Sequence, residues 1–294
     1  MKLPILTSVA IAILCFPFSM CGQGVQSPPS LEPEAVVNDG GYLKIDSEFK
    51  HYIQYPHIRQ ADVMYKRRIW QEIDLRQKFN HPFYYPLRPI QDRKNLWDVI
   101  KEGVLQGEIT AYSVQGVGTN SQNDEFTIPL TRDEAWDIIA PPDSVDGYDE
   151  TTKKYVTKYE NVDLESKKII KYQIKEEWIW DRQRSERVCR IIGIAPILEY
   201  EDDGEIKEKR LFWVYFDQCR PLFAKHEVYN MFNDAQRRTY DDLFQKRYFS
   251  SYIIKEDNVY DRNISEYAFG VNAIAESERI QGVLFRMEHD MWQY

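Results

Sequence analysis

Residues 168–219 carry the pattern that most constrains how this chain can fold. In their first part, apolar side chains recur at every second position and mostly polar side chains occupy the positions between them. Successive side chains of a β-strand point to opposite faces, so this alternation predicts a strand with one buried and one solvated face. Glu176 and Ile179 break the alternation. The apolar positions are Ile170, Tyr172, Ile174, Trp178 and Trp180.

Two further strands are predicted in the same stretch. Residues 188–194 and 211–216 are nearly continuous apolar runs, which are typical of strands covered on both faces. The charged residues 201–209 between them contain Gly204 and predict a hairpin loop. We therefore expect an α+β fold, in which a central antiparallel sheet with a three-strand core near residues 168–219 is packed with several helices.

A first helix is predicted over residues 60–80. Tyr65, Ile69 and Ile73 recur every four positions, and charged side chains lie between them. The most compact basic run of the chain, Lys66-Arg67-Arg68, would form the solvated face of this helix.

Later helices are predicted from capping residues and apolar spacing. Thr131 followed by Glu134 is a capping box, and Thr239 with Asp242 predicts a second helix start. The last helix is predicted over residues 273–291, where apolar side chains recur at intervals of four, three and four.

The N-terminus predicts export from the cytoplasm. Residues 1–22 combine one Lys, an apolar run of about a dozen residues and a small-residue exit, as a secretory signal peptide does. The run is shorter than the roughly 20 residues of a spanning helix, and Pro17 interrupts it. Cys21 could instead be the acylated cysteine of a lipoprotein. Residues 23–59 are predicted to be a linker or flexible arm, and residues 60–294 the folded domain.

Composition limits the domain count and the class of partner. The 294 residues, 43% of them hydrophobic, suffice for one large domain or two modest ones. The polar residues 143–165 are either an internal boundary between two domains or a long surface insertion in one. A net charge of -9 argues against a general nucleic-acid binder, which needs a basic face.

Two of the four cysteines, Cys189 and Cys219, lie in the predicted domain. In a hairpin folded about Gly204, positions whose numbers add to 408 face each other, and these two cysteines satisfy that condition. A Cys189–Cys219 disulfide is therefore a candidate, because the geometry and an oxidising compartment both allow it. A bulge at Pro196 would shift the register by one, and the alternative is a pair of buried thiols.

The sequence contains no recognisable catalytic, cofactor or metal motif. Phosphate loops, glycine-rich dinucleotide turns, nucleophile elbows and H-E-x-x-H are all missing, and the five histidines are scattered. We therefore predict no enzyme activity, no cofactor and no metal ion, and assign no catalytic residue. A hydrolase with an unrecognised site around His226 or His289 is one alternative hypothesis.

Trp178 and Trp180 suggest a second alternative. Their rings could bind a sugar or a peptide, which would make the chain an exported carbohydrate- or peptide-binding module. Their position on the apolar face of a strand favours core packing instead. Seven Trp and 20 Tyr also fit large protein–protein contacts, in which these residues are enriched.

Four long blocks of this sequence form a recognisable set: WQEIDLRQKFNHPFYYP, RIIGIAPILEYEDDGEIKEKRLFWVYFDQCRPLFAKHEVYN, NDAQRRTYDDLFQKRYFSSYIIKEDNVYDRNI and EHDMWQY. Together they extend over residues 70–294 and resemble the gliding-motility family GldN, also called PorN. The resemblance implies a component of the type IX secretion system, which exports proteins across the outer membrane and supports gliding.

The resemblance also implies a location and partners. Members of that family are periplasmic, and associate peripherally with the outer membrane through a lipoprotein partner, GldK (PorK), in large ring assemblies. They are thought to contact the periplasmic part of the motor protein GldM (PorM). We accordingly expect self-association in a ring, no nucleic-acid partner, and membrane attachment through the partner, which disfavours acylation of Cys21.

Overall fold

A computed structural model describes most of one compact unit, which extends over Asp46–Tyr294. The signal peptide predicted at residues 1–22 lies outside the described residues, as does the predicted arm up to residue 50. The described residues are 51–90, 93–116, 123–149, 154–202, 204–230, 233 and 236–290.

The described residues form strands, α-helices and short 3-10 turns. The strands are β1 (Val63–Asp74), β2 (Ala111–Tyr112), β3 (Pro142–Asp149), β4 (Lys154–Asn161), β5 (Ile169–Asp181), β6 (Glu186–Asp202), β7 (Glu205–Arg210), β8 (Trp213–Tyr215), β9 (Glu227–Val228), β10 (Arg238–Thr239) and β11 (Tyr252–Glu256). The helices are α1 (His81–Tyr84), α2 (Leu96–Gln106), α3 (Arg132–Ile139), α4 (Phe216–Lys225), α5 (Tyr240–Gln245), α6 (Ile264–Tyr267) and α7 (Val271–Asp290).

The predicted α+β class is confirmed. Seven strands form one antiparallel sheet in the order β11-β1-β5-β6-β8-β2, and β7 pairs with β6. The strands predicted from alternation and from the first apolar run are the long central strands β5 and β6. The third predicted strand, at residues 211–216, is β8, which pairs with the middle of β6. The hairpin loop predicted at residues 201–209 is wrong except for the turn at Gly204, because β6 continues to Asp202 and pairs there with β7.

The helix predicted over residues 60–80 is wrong, because most of this segment is strand β1. Side chains four residues apart lie on one face of a helix, but they also lie on one face of a strand, whose period is two. Pairing with β5 and β11 decides between the two periods, since it places β1 inside the sheet. The basic run Lys66-Arg67-Arg68 is therefore on a strand, where Lys66 and Arg68 contact Glu177 and Arg67 contacts Glu256.

Several predicted helix boundaries are confirmed by their caps. The side chain of Thr131 and that of Glu134 complete a capping box at the start of α3, and Thr239 and Asp242 do so at α5. The last predicted helix is α7, which begins two residues earlier than expected. Strand β8 covers only Trp213–Tyr215 and helix α4 begins at Phe216, so the strand predicted at residues 211–216 begins two residues too early and ends one residue too late.

The polar stretch at residues 143–165 contains the hairpin of β3 and β4. These strands pair from Pro142 opposite Asn161 to Asp149 opposite Lys154, as a two-stranded sheet separate from the main one.

Two large hydrophobic cores cover the sheet. The larger core buries aromatic side chains from helices α1, α2, α4 and α5, including Phe83, Trp97, Phe216, Phe223, Tyr240 and Phe244. A second core joins the β11 side of the sheet to the C-terminal helices, and contains Ile69, Trp178, Trp180, Ile253, Ile264, Ile280 and Leu284. Helices α6 and α7 therefore pack on a separate core from α1, α2, α4 and α5.

Candidate interaction surfaces

The two domain cysteines do not face each other. The predicted register does hold between β6 and β8, where Gly193 pairs with Tyr215. Strand β8 ends there and the chain turns into α4, so Cys219 lies in a helix and its thiol donates to the carbonyl oxygen of Tyr215 at 3.3 Å. Cys189 lies on β6 opposite Trp178 and packs against the other core. Both cysteines are free thiols in the structure.

Burial keeps both thiols protonated. It raises the pKa of Cys189 to about 11, and it raises the pKa of the fully buried Cys219 further. A protonated thiol is a poor nucleophile and a poor metal ligand, so the environment of these side chains suits packing rather than chemistry.

Trp178 and Trp180 are core residues. Their exposed fractions are 6% and 1%, and both pack against α7. The indole nitrogen of Trp178 donates to Glu176 at 2.8 Å, and the guanidinium of Arg187 lies 4.6 Å from the ring centroid. Neither ring offers a face to a sugar or a peptide in this structure.

The two histidines proposed for catalysis lie on separate elements. His226 directly follows α4, where burial and the nearby Lys94 lower its pKa. His289 is exposed near the end of α7, and its neighbour Glu288 forms an ion pair with Arg187 at 3.0 Å. Within the described ranges, no group of three or more His, Cys, Asp or Glu side chains is placed to hold a metal ion.

A buried ionic network explains why Glu176 interrupts the alternation of β5. The side chain is fully buried, on the same face of β5 as Trp178 of the second core. Its carboxylate accepts from Arg247 at 2.7 Å, Gln71 at 3.2 Å and Trp178 at 2.8 Å. The interrupted alternation at Glu176 could be seen in the sequence, but it did not indicate which residues the carboxylate contacts.

A second buried charge holds the segment that precedes the sheet. Arg220 of α4 is fully buried, and its guanidinium lies 4.7 Å from the ring centroid of Tyr52 and 4.5 Å from that of Tyr55. It donates to Asp241 at 3.0 Å and to the carbonyl oxygen of Ile53. The last part of the predicted arm, residues 51–59, is therefore a strap attached to the domain. Sequence reasoning missed it, because no local pattern links Arg220 to these tyrosines.

A polar cavity of about 270 Å³ lies against Trp70 on the sheet. The buried Lys255 lines it and lies 2.5 Å from Asp261. Asp124, which also lines it, accepts through its carbonyl oxygen from the buried Lys175 at 2.6 Å. The ammonium of Lys255 is also 4.4 Å from the ring centroid of Trp70. Because the charges are paired within the chain, the arrangement stabilises the fold and offers little to a charged ligand.

The first of two exposed apolar surfaces is the aromatic turn surface, which lies around α1 and the turn after it. Phe79 and Tyr229 line one small pocket, and the guanidinium of Arg93 lies 5.5 Å from the ring centroid of Tyr229. Large apolar side chains are exposed here although the larger core lies directly beneath. The members of this surface are Phe79, Tyr85, Leu87, Ile90 and Tyr229.

The second exposed apolar surface is the C-terminal surface, which is formed by the loop after β11 and by α6 and α7. Val259 is 98% exposed, and the guanidinium of Arg262 lies 4.4 Å from the ring centroid of Tyr260. Its members are Val259, Tyr260, Tyr267, Phe269, Val271, Ile274 and Phe285. Apolar groups exposed in clusters mark contact sites more often than isolated ones do.

Comparison with known families decides what kind of chain this is. The family model described as gliding motility associated protein GldN matches residues 58–293. The chain belongs to the GldN family. A comparison with curated protein sequences found no significant match.

The family match covers every helix and strand of the described residues. The match begins just before β1 and ends after α7, so both exposed apolar surfaces and both cores lie inside the family region. A GldN-family chain is a component of the gliding motility and type IX secretion machinery. In the described part of the chain, each helix is too short or too polar to cross a bilayer.

Proposed function

We propose that this chain is a non-enzymatic structural subunit of the type IX secretion and gliding machinery. After export directed by residues 1–22, it forms a periplasmic ring with an outer-membrane lipoprotein of the GldK (PorK) kind. It also contacts the periplasmic part of an inner-membrane motor protein of the GldM (PorM) kind. Its attachment to the outer membrane is peripheral and depends on the lipoprotein.

The observation that carries this proposal is the pair of exposed apolar surfaces on one GldN-family chain. They overlie different hydrophobic cores, so they are separate contact regions. Tyr, Phe and Trp dominate the energy of protein–protein contacts, because a buried ring removes a large apolar area from water. A subunit that joins several proteins needs more than one such surface.

The charged side chains support the same conclusion. The buried groups Glu176, Arg220, Lys175 and Lys255 are each paired with other residues of the chain. Catalysis requires titratable groups directed toward a substrate, often with shifted pKa values. Here the buried charges instead hold strands, helices and the strap together.

The proposal is tested by purifying the chain from membranes with an affinity tag and imaging the product by negative stain. We expect co-purification with a lipoprotein and ring-shaped particles in detergent. A chain recovered only as a free monomer, and dispensable for secretion, would contradict the proposal.

Variants locate the lipoprotein contact. Phe79→Ser combined with Ile90→Ser removes two apolar side chains from the aromatic turn surface and should reduce lipoprotein capture at least about tenfold, since hot-spot residues each contribute 2 kcal/mol or more. Ile206→Ser on β7 is the control, because Ile206 is more exposed than either residue but lies on neither surface. Equal capture by both variants would show that this surface is not the contact.

A further inference from the structure

Helix α7 has an inner and an outer apolar face. The inner face packs on the second core through Ala273, Ile280, Leu284 and Met287. At 100° per residue, a second set of positions lies roughly opposite Ile280. This outer face consists of Val271, Ile274, Ala275, Glu278, Gly282 and Phe285, and Phe285 is 64% exposed.

Gly282 has no structural role within the chain. A Cβ built on Gly282 meets no atom within 4 Å, whereas one built on Gly103 would lie 2.6 Å from Leu222. A glycine in the middle of a helix costs about 0.5–1 kcal/mol relative to alanine. Glycine permits close approach of another backbone, and the surface above Gly282 is open.

Two charged residues lie at equal distances on either side of Gly282. Glu278, four residues before it, makes no hydrogen bond or ion pair with any residue that the structure describes. Arg286, four residues after it, donates to the carbonyl oxygen of Gly282 at 3.3 Å. Three other charged residues of α7 are paired: Arg279 with Glu276 at 2.7 Å, and Glu288 with Arg187 at 3.0 Å.

A cavity beside the outer face has an acidic lining. It measures about 590 Å³ and lies between α7 and β11. Its charged lining residues are the carboxylates of Glu72, Glu208 and Glu278 and the guanidinium of Arg210. Glu72 and Glu208 are both paired with Lys171, at 3.6 Å and 2.6 Å, so Glu278 is the carboxylate of this lining that can pair with a cationic side chain from outside.

We propose that two copies of this chain associate through α7, with the helices antiparallel about a two-fold axis at Gly282. This arrangement places Glu278 of each copy opposite Arg286 of the other, so the contact contains two equivalent ion pairs. Each guanidinium then approaches the acidic cavity of the other copy. Phe285 packs beside the glycine, where the missing Cβ leaves room. This dimer would be one of the contacts between copies in the proposed ring, and its biological role rests on the proposed function.

The two-fold symmetry limits what this contact can build. A symmetric contact uses the same patch on both copies and closes as a dimer. A ring therefore needs a further contact, and the lipoprotein bound at the aromatic turn surface would supply it by joining neighbouring dimers. Helix α7 has 20 residues and is about 30 Å long, which gives the pair enough length for a stable interface.

Charge exchange tests the register of the pair. Sedimentation equilibrium is measured on the chain from Gln23 onward. Glu278→Arg and Arg286→Glu should each weaken dimerisation about tenfold or more, because each places like charges opposite each other twice. The double variant should restore the wild-type dissociation constant. A monomeric wild type at about 100 µM, or a double variant weaker than either single variant, would overturn the proposal.

Gly282→Ala separates a contact role from a structural one. The alanine should raise the unfolding midpoint, because alanine has a higher helix propensity than glycine. It should also raise the dimer dissociation constant at least about fivefold, because the added methyl group prevents close approach of the two helices. A higher midpoint with unchanged dimerisation would refute close approach at Gly282. Lipoprotein capture is measured on the same variants and on the unmodified chain. No capture by the unmodified chain would contradict the proposed function. Loss of capture with an intact dimer would place the lipoprotein contact on α7 and overturn the dimer, and loss of the dimer alone would show that the two contacts are separate.

Discussion

At the scale of single residues, packing on the sheet leaves no space for a side chain at Gly193. A Cβ there would lie 2.3 Å from the Phe126 ring and 3.1 Å from the carbonyl oxygen of Val214. Phe126 has a φ of 55°, a left-handed conformation that is rare for a bulky residue. Its ring packs edge-on against Trp213 and Tyr215, so it has little freedom to move.

Gly193→Ala should therefore destabilise the protein by about 1–3 kcal/mol, the usual cost of overpacking. The measurement is urea unfolding followed by tryptophan fluorescence. Gly282→Ala is the matched control, because a Cβ at that position meets nothing within the chain. An unchanged urea midpoint for Gly193→Ala would show that Phe126 moves aside freely.

The thiols make a second residue-scale prediction. In the chain from Gln23 onward, prepared without reductant, we expect two free thiols after unfolding, because Cys189 and Cys219 pack on different cores. In the native protein at pH 8, alkylation of Cys189 should be slow, since its pKa of about 11 leaves little thiolate, and should speed up as the pH rises. A count of zero thiols would mean that a disulfide forms in solution.

At the scale of elements, buried charges fasten segments that are distant in sequence. Glu176 on β5 is joined to Arg247, just beyond α5, and Arg220 on α4 is joined to the strap. Removing one member of a buried ion pair costs more than removing both, because it leaves a charge without compensation.

Arg247→Met should destabilise the fold by about 3 kcal/mol or somewhat less, because Arg247 is partly exposed and water can replace some of its contacts. Combining it with Glu176→Gln should recover part of that loss. Chemical denaturation of the two single variants and the double variant gives the coupling energy directly. Strictly additive losses would contradict a direct ionic interaction.

The contacts of the strap, residues 51–59, lead to a prediction about its detachment from the domain. Tyr52→Ala combined with Tyr55→Ala removes both rings from Arg220, each a contact of about 0.5–2 kcal/mol. We expect faster tryptic cleavage after Arg59, while the far-ultraviolet circular dichroism stays unchanged. Ile53→Ala is the control, because the side chain of Ile53 is exposed. Ile53 holds the strap through its backbone carbonyl oxygen, which accepts from Arg220 and is kept in the variant.

At the scale of the whole molecule, the sheet unites the two halves of the chain. Strand β1, from the N-terminal half, lies between β5 and β11 from the C-terminal half. The larger core likewise contains side chains from both sides of residues 143–165. A domain boundary at residues 143–165 would therefore divide both the main sheet and the larger core.

We therefore expect one cooperative unfolding transition for residues 51–294. Tryptophan fluorescence and circular dichroism should give the same midpoint and the same slope, as a two-state transition requires. Specific cleavage introduced between β3 and β4 should leave the two fragments associated under native conditions. Two separated transitions, or dissociation of the fragments, would instead favour an internal domain boundary.

The amino-acid sequence by itself determined the local features of this protein. Strands β5 and β6, the capped starts of α3 and α5, the turn at Gly204 and the long helix α7 were predictable, because each depends on side-chain period or capping within a few residues. The blocks of residues that resemble GldN likewise pointed to the family that the chain belongs to.

Tertiary structure alone decided the rest. Residues 63–74 satisfied a helical and a strand period equally well, and only pairing with β5 and β11 selected the strand. The start of α4 removed Cys219 from the strand that would have placed it opposite Cys189. The most distant partners of Glu176 and Arg220, which are Gln71 and Ile53, lie 105 and 167 residues away in sequence, so no local pattern could identify them. Contacts of this kind depend on which distant segments the fold brings together, and no short stretch of sequence indicates that.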